Sequence, residues 1–81
     1  NNISFNGINI YPNPSENYFS VEVETPSDIK TIFMYNITGQ LVKTINSLTK
    51  DIDISDLKKG TYLISISFFN GRQEYFKLVK K

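Results

Sequence analysis

The chain has 81 residues, a formal net charge of +1, and no cysteine, histidine or tryptophan. Its length fits one domain, and a charge this close to zero argues against a nucleic-acid-binding protein. The missing residues remove the commonest general base, the commonest zinc ligand and any thiolate nucleophile. We therefore expect a protein that is not an enzyme and holds no cofactor or metal.

The charges are distributed unevenly along the chain. Residues 1–28 contain four acidic side chains and no basic one, whereas residues 57–81 contain six basic side chains and one glutamate. Two interpretations stay open: the two regions are ordinary solvated surfaces, or the basic C-terminal region meets an acidic partner or a membrane surface.

Alternation of apolar and polar residues predicts strands along almost the whole chain. The first segment, 1–7, is polar and is expected to be a linker end, so the domain itself should span 8–81. Strands are predicted at 8–11 and 18–24, with alternate residues from Phe19 facing the core.

A hairpin is predicted next. Its strands lie at 29–37 and 40–46, joined through Gly39, whose freedom to adopt a positive φ suits a tight reversal. Both faces of the first strand are apolar. This pattern is typical of a central strand covered on both sides, or of a strand whose outer face carries a functional patch.

Three more strands are predicted in the second half of the chain, at 51–54, 61–69 and 72–81. The Asn-Gly pair between the last two is the strongest short hairpin signal. About seven short strands with no long helix predict an all-β fold, an antiparallel β-sandwich of the immunoglobulin-like type.

One segment, 55–60, breaks the alternation. Ser55 or Asp56 can cap a single helical turn there, and Gly60 can end that turn in the left-handed conformation. Leu57 is then expected to point into the core.

Two groups of side chains suggest chemistry. Asp51, Asp53 and Asp56 form the acidic cluster, but no glycine-turned calcium loop accompanies them, and outward strand residues with a helix cap explain them better. Surface tyrosines could stack on sugars, although amphipathic tyrosines are ordinary at the surface of a sandwich; these are Tyr18, Tyr35 and Tyr75.

Four pieces of sequence occur in an informative order. They are "YPNP" at 11–14, "MYNITGQLVK" at 34–43, "DISDLKKGTYLISI" at 53–66 and "KLVKK" at 77–81. Each is weak alone. Together they closely resemble the type A C-terminal sorting domain of the type IX secretion system of Bacteroidota, also called the Por secretion system, over about residues 8–81. The immunoglobulin-like sandwich of that family agrees with the strand pattern.

The resemblance implies a secretion signal, with a cargo domain upstream of Asn1. Such proteins enter the periplasm, cross the outer membrane through the type IX machinery, and are attached to the cell surface or released. A sortase of the gingipain-like cysteine protease class usually cleaves near the N-terminal edge of the domain. The resemblance implies no catalysis and no cofactor.

For such a signal we expect two elements that the secretion machinery recognises. One is the terminal strand, whose exposed edge can add to a partner's sheet; it comprises Lys77, Leu78, Val79, Lys80 and Lys81. Its lysines are expected in solvent, while Phe76 and Leu78 anchor it. Charges on an edge strand also prevent unwanted pairing, which is the simpler explanation of the lysines.

The other expected element is the turn formed by Lys59, Gly60, Thr61 and Tyr62, in which Gly60 shapes the backbone. Gly39 is expected to be structural as well. So is the rigid corner, because each proline restricts the residue before it to extended geometry; the corner comprises Tyr11, Pro12, Asn13 and Pro14.

The alternative function is an immunoglobulin-like binding or adhesion module of a secreted bacterial protein, for a carbohydrate or a protein. Open strand edges in so small a domain also leave dimerisation through edge pairing open.

Overall fold

Two antiparallel sheets of four strands each pack into a sandwich in the computed structural model, which describes residues 3–5, 7–46 and 51–81. The predicted all-β sandwich is confirmed, and its described part contains one short 3-10 turn besides the strands. The elements are β1 Ile3–Phe5, β2 Ile8–Tyr11, β3 Tyr18–Val23, the 3-10 turn Pro26–Asp28, β4 Ile29–Tyr35, β5 Leu41–Ile45, β6 Ile52–Asp53, β7 Gly60–Phe68 and β8 Gln73–Lys80.

The strand order is that of an immunoglobulin-like sandwich. The first sheet has the order β1-β2-β3-β6, and the second sheet has the order β5-β4-β7-β8. The chain therefore changes sheets after β3, after β5 and after β6. The longest pairing joins β7 to β8, from Gly60 opposite Lys80 to Ser67 opposite Gln73.

The core lies between the two sheets and follows the alternation in the sequence. Alternate residues of β7 from Tyr62 to Phe68 face it, as predicted, and so do Phe76 and Leu78 of β8. Leu57 packs against its margin. The apolar residues that are buried in the core are Ile8, Ile10, Phe19, Val21, Ile32, Met34, Ile52, Ile54, Tyr62, Ile64, Ile66, Phe68, Phe76 and Leu78.

Strand β1 was not predicted. It lies within the segment 1–7, which we expected to be a linker end, and it pairs with β2 from Ile3 opposite Ile10 to Phe5 opposite Ile8. A strand of three residues shows too little alternation to be recognised from sequence. Residues 1, 2 and 6 of the same segment lie outside the described part of the chain.

The helical turn predicted over 55–60 is wrong. The N–H of Leu57 donates to the carbonyl of Ile54 at 3.0 Å, which closes a tight turn, and Gly60 begins β7 instead of ending a helix. Asp53 explains the difference, because its carboxylate accepts the N–H of Ser55 at 2.8 Å and the Ser55 hydroxyl at 2.7 Å. Such local side-chain bonds favour turns over helices. None of the described residues forms a helix long and apolar enough to cross a bilayer.

Candidate recognition site around the last strand

Strand β8 is hydrogen-bonded on both of its sides. Its partner on one side is β7. On the other side, the chain that follows the Tyr11–Pro14 corner runs parallel to it, with Ser15 bridged to Lys80. The Ser15 N–H donates to the carbonyl of Val79 at 2.8 Å, and the Lys81 N–H donates to the carbonyl of Ser15 at 2.7 Å. The corner therefore binds the tail although the two are far apart in sequence, with Asn13 and Val79 lying 66 positions apart.

The side chain of Asn13 extends this contact. Its Nδ2 donates to the carbonyl of Lys77 at 3.4 Å, and its Oδ1 accepts the N–H of Val79 at 3.0 Å. The carboxamide thus pairs with the strand as a backbone peptide group would. Within the corner, the hydroxyl of the fully buried Ser15 donates to the carbonyl of Pro12. Both X–Pro bonds of the corner, Tyr11-Pro12 and Asn13-Pro14, are cis.

The expectation of an exposed edge along 77–81 is therefore wrong. The outward backbone groups of this segment, from the Lys77 carbonyl to the Lys81 N–H, already have partners in Asn13 and Ser15. A partner's strand could pair there only after displacing the corner. The sequence does not reveal this contact between the corner and the tail, because the contact depends on the closure of the sandwich.

The turn before β7 lies beside the tail. Gly60 is opposite Lys80 and Thr61 is opposite Val79, so the two elements expected to be recognised form one continuous patch. Gly60 has φ +150°, a conformation that favours glycine over residues with a side chain. Its role in the turn is therefore conformational.

Tyr62 has a structural role that the sequence did not reveal. Its side chain is 6% exposed, and its hydroxyl donates to the carbonyl of Lys58 at 2.6 Å. A tyrosine near the start of the penultimate strand that bonds back to the preceding backbone is the tyrosine corner of immunoglobulin-like domains. Tyr62 therefore holds the Lys58–Gly60 connection in place.

The residues expected to contact the secretion machinery divide into two groups. Lys59, Gly60, Lys77, Val79 and Lys81 are exposed, and Thr61 is partly exposed. The buried ones are Tyr62, Leu78 and Lys80.

The expected exposure of Lys80 is wrong. The residue is 9% exposed, and its Nζ donates to the backbone oxygen of Lys81 at 3.2 Å. Its position explains this, because it lies on the same face of β8 as Phe76 and Leu78. A lysine stem can lie along apolar surface while its ammonium group reaches a polar partner.

Gly39 lies in the β4–β5 turn with φ +88°. Its N–H donates to the carbonyl of Asn36 at 3.0 Å, and the Oδ1 of Asn36 accepts the N–H groups of Thr38 and Gln40 at 3.1 and 2.9 Å. The asparagine and the glycine thus build this turn together, in the conformation expected from the sequence.

The three aspartates of the acidic cluster bind three different partners. Asp51 accepts the hydroxyl of Ser20 at 2.8 Å, Asp53 accepts two bonds from Ser55, and Asp56 lies 3.5 Å from the Nζ of Lys43. The hydrogen bonds from Ser55 lower the pKa of Asp53, with a smaller contribution from the positive charge of Lys43. Across the described part of the chain, no three acidic side chains are grouped to hold a metal ion.

An apolar groove on the outer face of the second sheet was missed as a site. Register places Phe33, Ser65 and Tyr75 in one row across β4, β7 and β8, and Tyr35, Leu63 and Lys77 in the next. The apolar outer face of β4 predicted either a covered central strand or a functional patch, and the groove lies on that face. Tyr35 and Tyr75 line this groove, whereas Tyr18 belongs to the first sheet.

A family model described as the secretion system C-terminal sorting domain matches residues 9–81. No protein in a search of curated proteins matched. The family is a sorting signal and not a catalytic family. The matched range contains the corner, the β4–β5 turn, the turn before β7 and the tail, and the fold places the corner and the turn before β7 on opposite sides of β8. The chain therefore belongs to the family of C-terminal sorting domains of the type IX secretion system.

Proposed function

We propose that this domain is a non-catalytic signal that directs a cargo protein, encoded upstream of Asn1, across the outer membrane through the type IX machinery. One observation carries the proposal: motifs far apart in the sequence converge on β8. The corner binds one side of this strand and the turn at Lys59–Tyr62 lies on the other. The arrangement offers a compact surface for recognition.

The machinery would recognise side chains on the folded domain. The backbone of the tail is already paired on both sides, so strand addition is disfavoured there. The exposed side chains of the patch are those of Lys59, Lys77, Val79 and Lys81, and Thr61 is partly exposed. Lysines offer positive charge and hydrogen-bond donors, and an acidic surface of the receptor would complement them.

The buried members of the same set would act by holding this surface in shape. Leu78 anchors β8 in the core, Tyr62 closes the turn before β7, and Lys80 is tied to the backbone of Lys81. Asn13 would do the same from the corner, through its two bonds to β8. Gly39 and Gly60 would allow the positive φ angles that their turns adopt.

The domain would travel with its cargo through the periplasm to the cell surface. A sortase would then cut near its N-terminal edge, and the cargo would be attached to the surface or released. This route is the one that membership of the family implies, and β1, at the edge of the first sheet, lies close in sequence to the proposed cut.

The test is a reporter directed to the periplasm of a host with type IX secretion. A fusion to residues 1–81 is expected in the medium or at the cell surface, and the same fusion lacking Lys77–Lys81 is expected to stay in the periplasm. Because truncation also removes Leu78 from the core, periplasmic protease resistance of both fusions is measured alongside. Normal secretion of the truncated fusion would contradict the proposal.

A further inference from the structure

We propose that the groove on the outer face of the second sheet is a docking surface for an acidic protein segment with apolar side chains. That the segment belongs to the secretion machinery rests on the function proposed above. That the segment is acidic and apolar is argued from the groove alone. The groove encloses about 550 Å³.

The groove is built to accept apolar side chains. Its floor at Ser65 is 4% exposed, although this residue points away from the core, and its register neighbours on either side are Phe33 and Tyr75. Leu63 and Tyr75 remain 43% and 58% exposed. Ile37 from the β4–β5 turn, 86% exposed, also lines the groove. Exposed apolar side chains that cluster around a groove favour its use as a site of interaction.

The charges around the groove select an acidic partner. Among the described residues that line it, Lys77 is the charged one and none is acidic. Lys59 and Lys81 flank the last register pair of the same sheet, Gly60 with Lys80. The acid on the strands of this sheet, Glu74, lies on the opposite side of β8 from Lys77, and its carboxylate contacts the Nε of Arg72 at 2.6 Å.

The ring geometry favours a protein segment over a sugar. Phe33 and Tyr35 have centroids 6.4 Å apart, but their planes are inclined by 40°. Rings at this angle do not form the flat platform on which a pyranose would stack. Aliphatic side chains of a bound segment would instead occupy the groove, and Lys77, opposite Leu63 in register, could pair with a carboxylate of that segment.

The first test is a titration of the isolated domain followed by NMR. The probes are the acetylated peptides Glu-Val-Leu-Val-Glu and Lys-Val-Leu-Val-Lys. The acidic peptide is expected to shift the signals of Ile37, Leu63 and Lys77 and to bind more weakly at higher salt, because salt screens exposed charges. Equal binding of the two peptides, shifts elsewhere on the domain, or no shifts would overturn the proposal.

Matched variants locate the binding. Leu63→Asp places a carboxylate in the groove and is expected to weaken binding of the acidic peptide at least about tenfold, as loss of an interface anchor does. Tyr18→Asp makes the same change at an exposed site on the first sheet and should leave binding unchanged. Circular dichroism confirms the fold of both. Concentration-dependent self-association that Leu63→Asp abolishes would assign the groove to a second copy and overturn the proposal, as would polysaccharide binding there without peptide binding.

In the secreting host, Leu63→Asp is expected to retain the reporter in the periplasm, and Tyr18→Asp is expected to be secreted. If Leu63→Asp is secreted while the fusion lacking Lys77–Lys81 is retained, the groove is not a docking site for the machinery, and the secretion function stands. If the truncated fusion is also secreted, the secretion function fails, and the peptide titration alone decides whether the groove binds acidic segments.

Discussion

The two sheets share one core but carry opposite charges. The strands of the first sheet contain Glu22 and Asp53 and no basic residue, whereas those of the second sheet contain four lysines and one glutamate. The second sheet also carries the apolar groove and the tail. Both sheets contribute buried apolar residues to the core, so they differ mainly in charge and in the apolar groove, and we propose that recognition occurs on the second sheet.

The largest expected effect tests the shared core. Leu78→Ala in the second sheet and Ile10→Ala in the first both truncate side chains with no exposure. Each should lower the free energy of unfolding by about 2–5 kcal/mol, from lost burial and the cavity left behind. Urea denaturation measures both. A loss confined to one variant would show that the sheets do not share the core equally.

The next prediction concerns the hydrogen bonds by which the corner holds the tail. Asn13→Ala removes both side-chain bonds to β8 and should cost about 1–2 kcal/mol, because each hydrogen bond contributes about 0.5–1.5 kcal/mol and these two are exposed to solvent. Hydrogen exchange should accelerate at Val79 more than at Ile66, which lies in the centre of the sheet. Asn9→Ala, which removes an exposed contact to Glu22 at 3.2 Å on the first sheet, is the control. Unchanged exchange at Val79 would refute the role of Asn13.

Tyr62→Phe separates structure from recognition on the second sheet. The variant keeps the ring and removes the hydroxyl that bonds to Lys58, so stability should fall by about 0.5–1.5 kcal/mol. Secretion below the melting temperature should be unchanged, because Tyr62 is buried and its hydroxyl is bonded to the Lys58 carbonyl within the domain. A secretion defect with unaltered thermal stability would make Tyr62 a contact residue instead.

The smallest effect concerns the first sheet. The folded state lowers the pKa of Asp53 through its bonds from Ser55, so this carboxylate stabilises the fold above its ordinary pKa of 3.8 and loses that contribution as the pH falls below it. The stability difference between the native domain and Asp53→Asn should therefore shrink on acidification. Thermal melts from neutral pH to below 3.8 measure it. A difference independent of pH would mean that the charge does not contribute.

The sequence predicted the strands well where side chains alternate between core and solvent. Seven of the eight described strands overlap a predicted strand, and the burial of Lys80 was also readable from its spacing to Phe76 and Leu78. The contact of Asn13 with Val79 could not be predicted from the sequence, because it depends on how the corner and the tail meet in the closed sandwich. The groove was signalled by the apolar outer face of β4, but its walls required the register of β7 and β8.

The most direct test of the central claim is secretion with the tail intact but uncharged. Lys77→Gln with Lys81→Gln changes two exposed side chains and leaves the corner's backbone contacts in place. Lys30→Gln with Lys43→Gln removes the same charge from the other strands of the second sheet. If the secretion machinery recognises the exposed lysines of the tail on the folded domain, the first fusion stays folded in the periplasm and the second is secreted. Equal secretion of both would contradict the account.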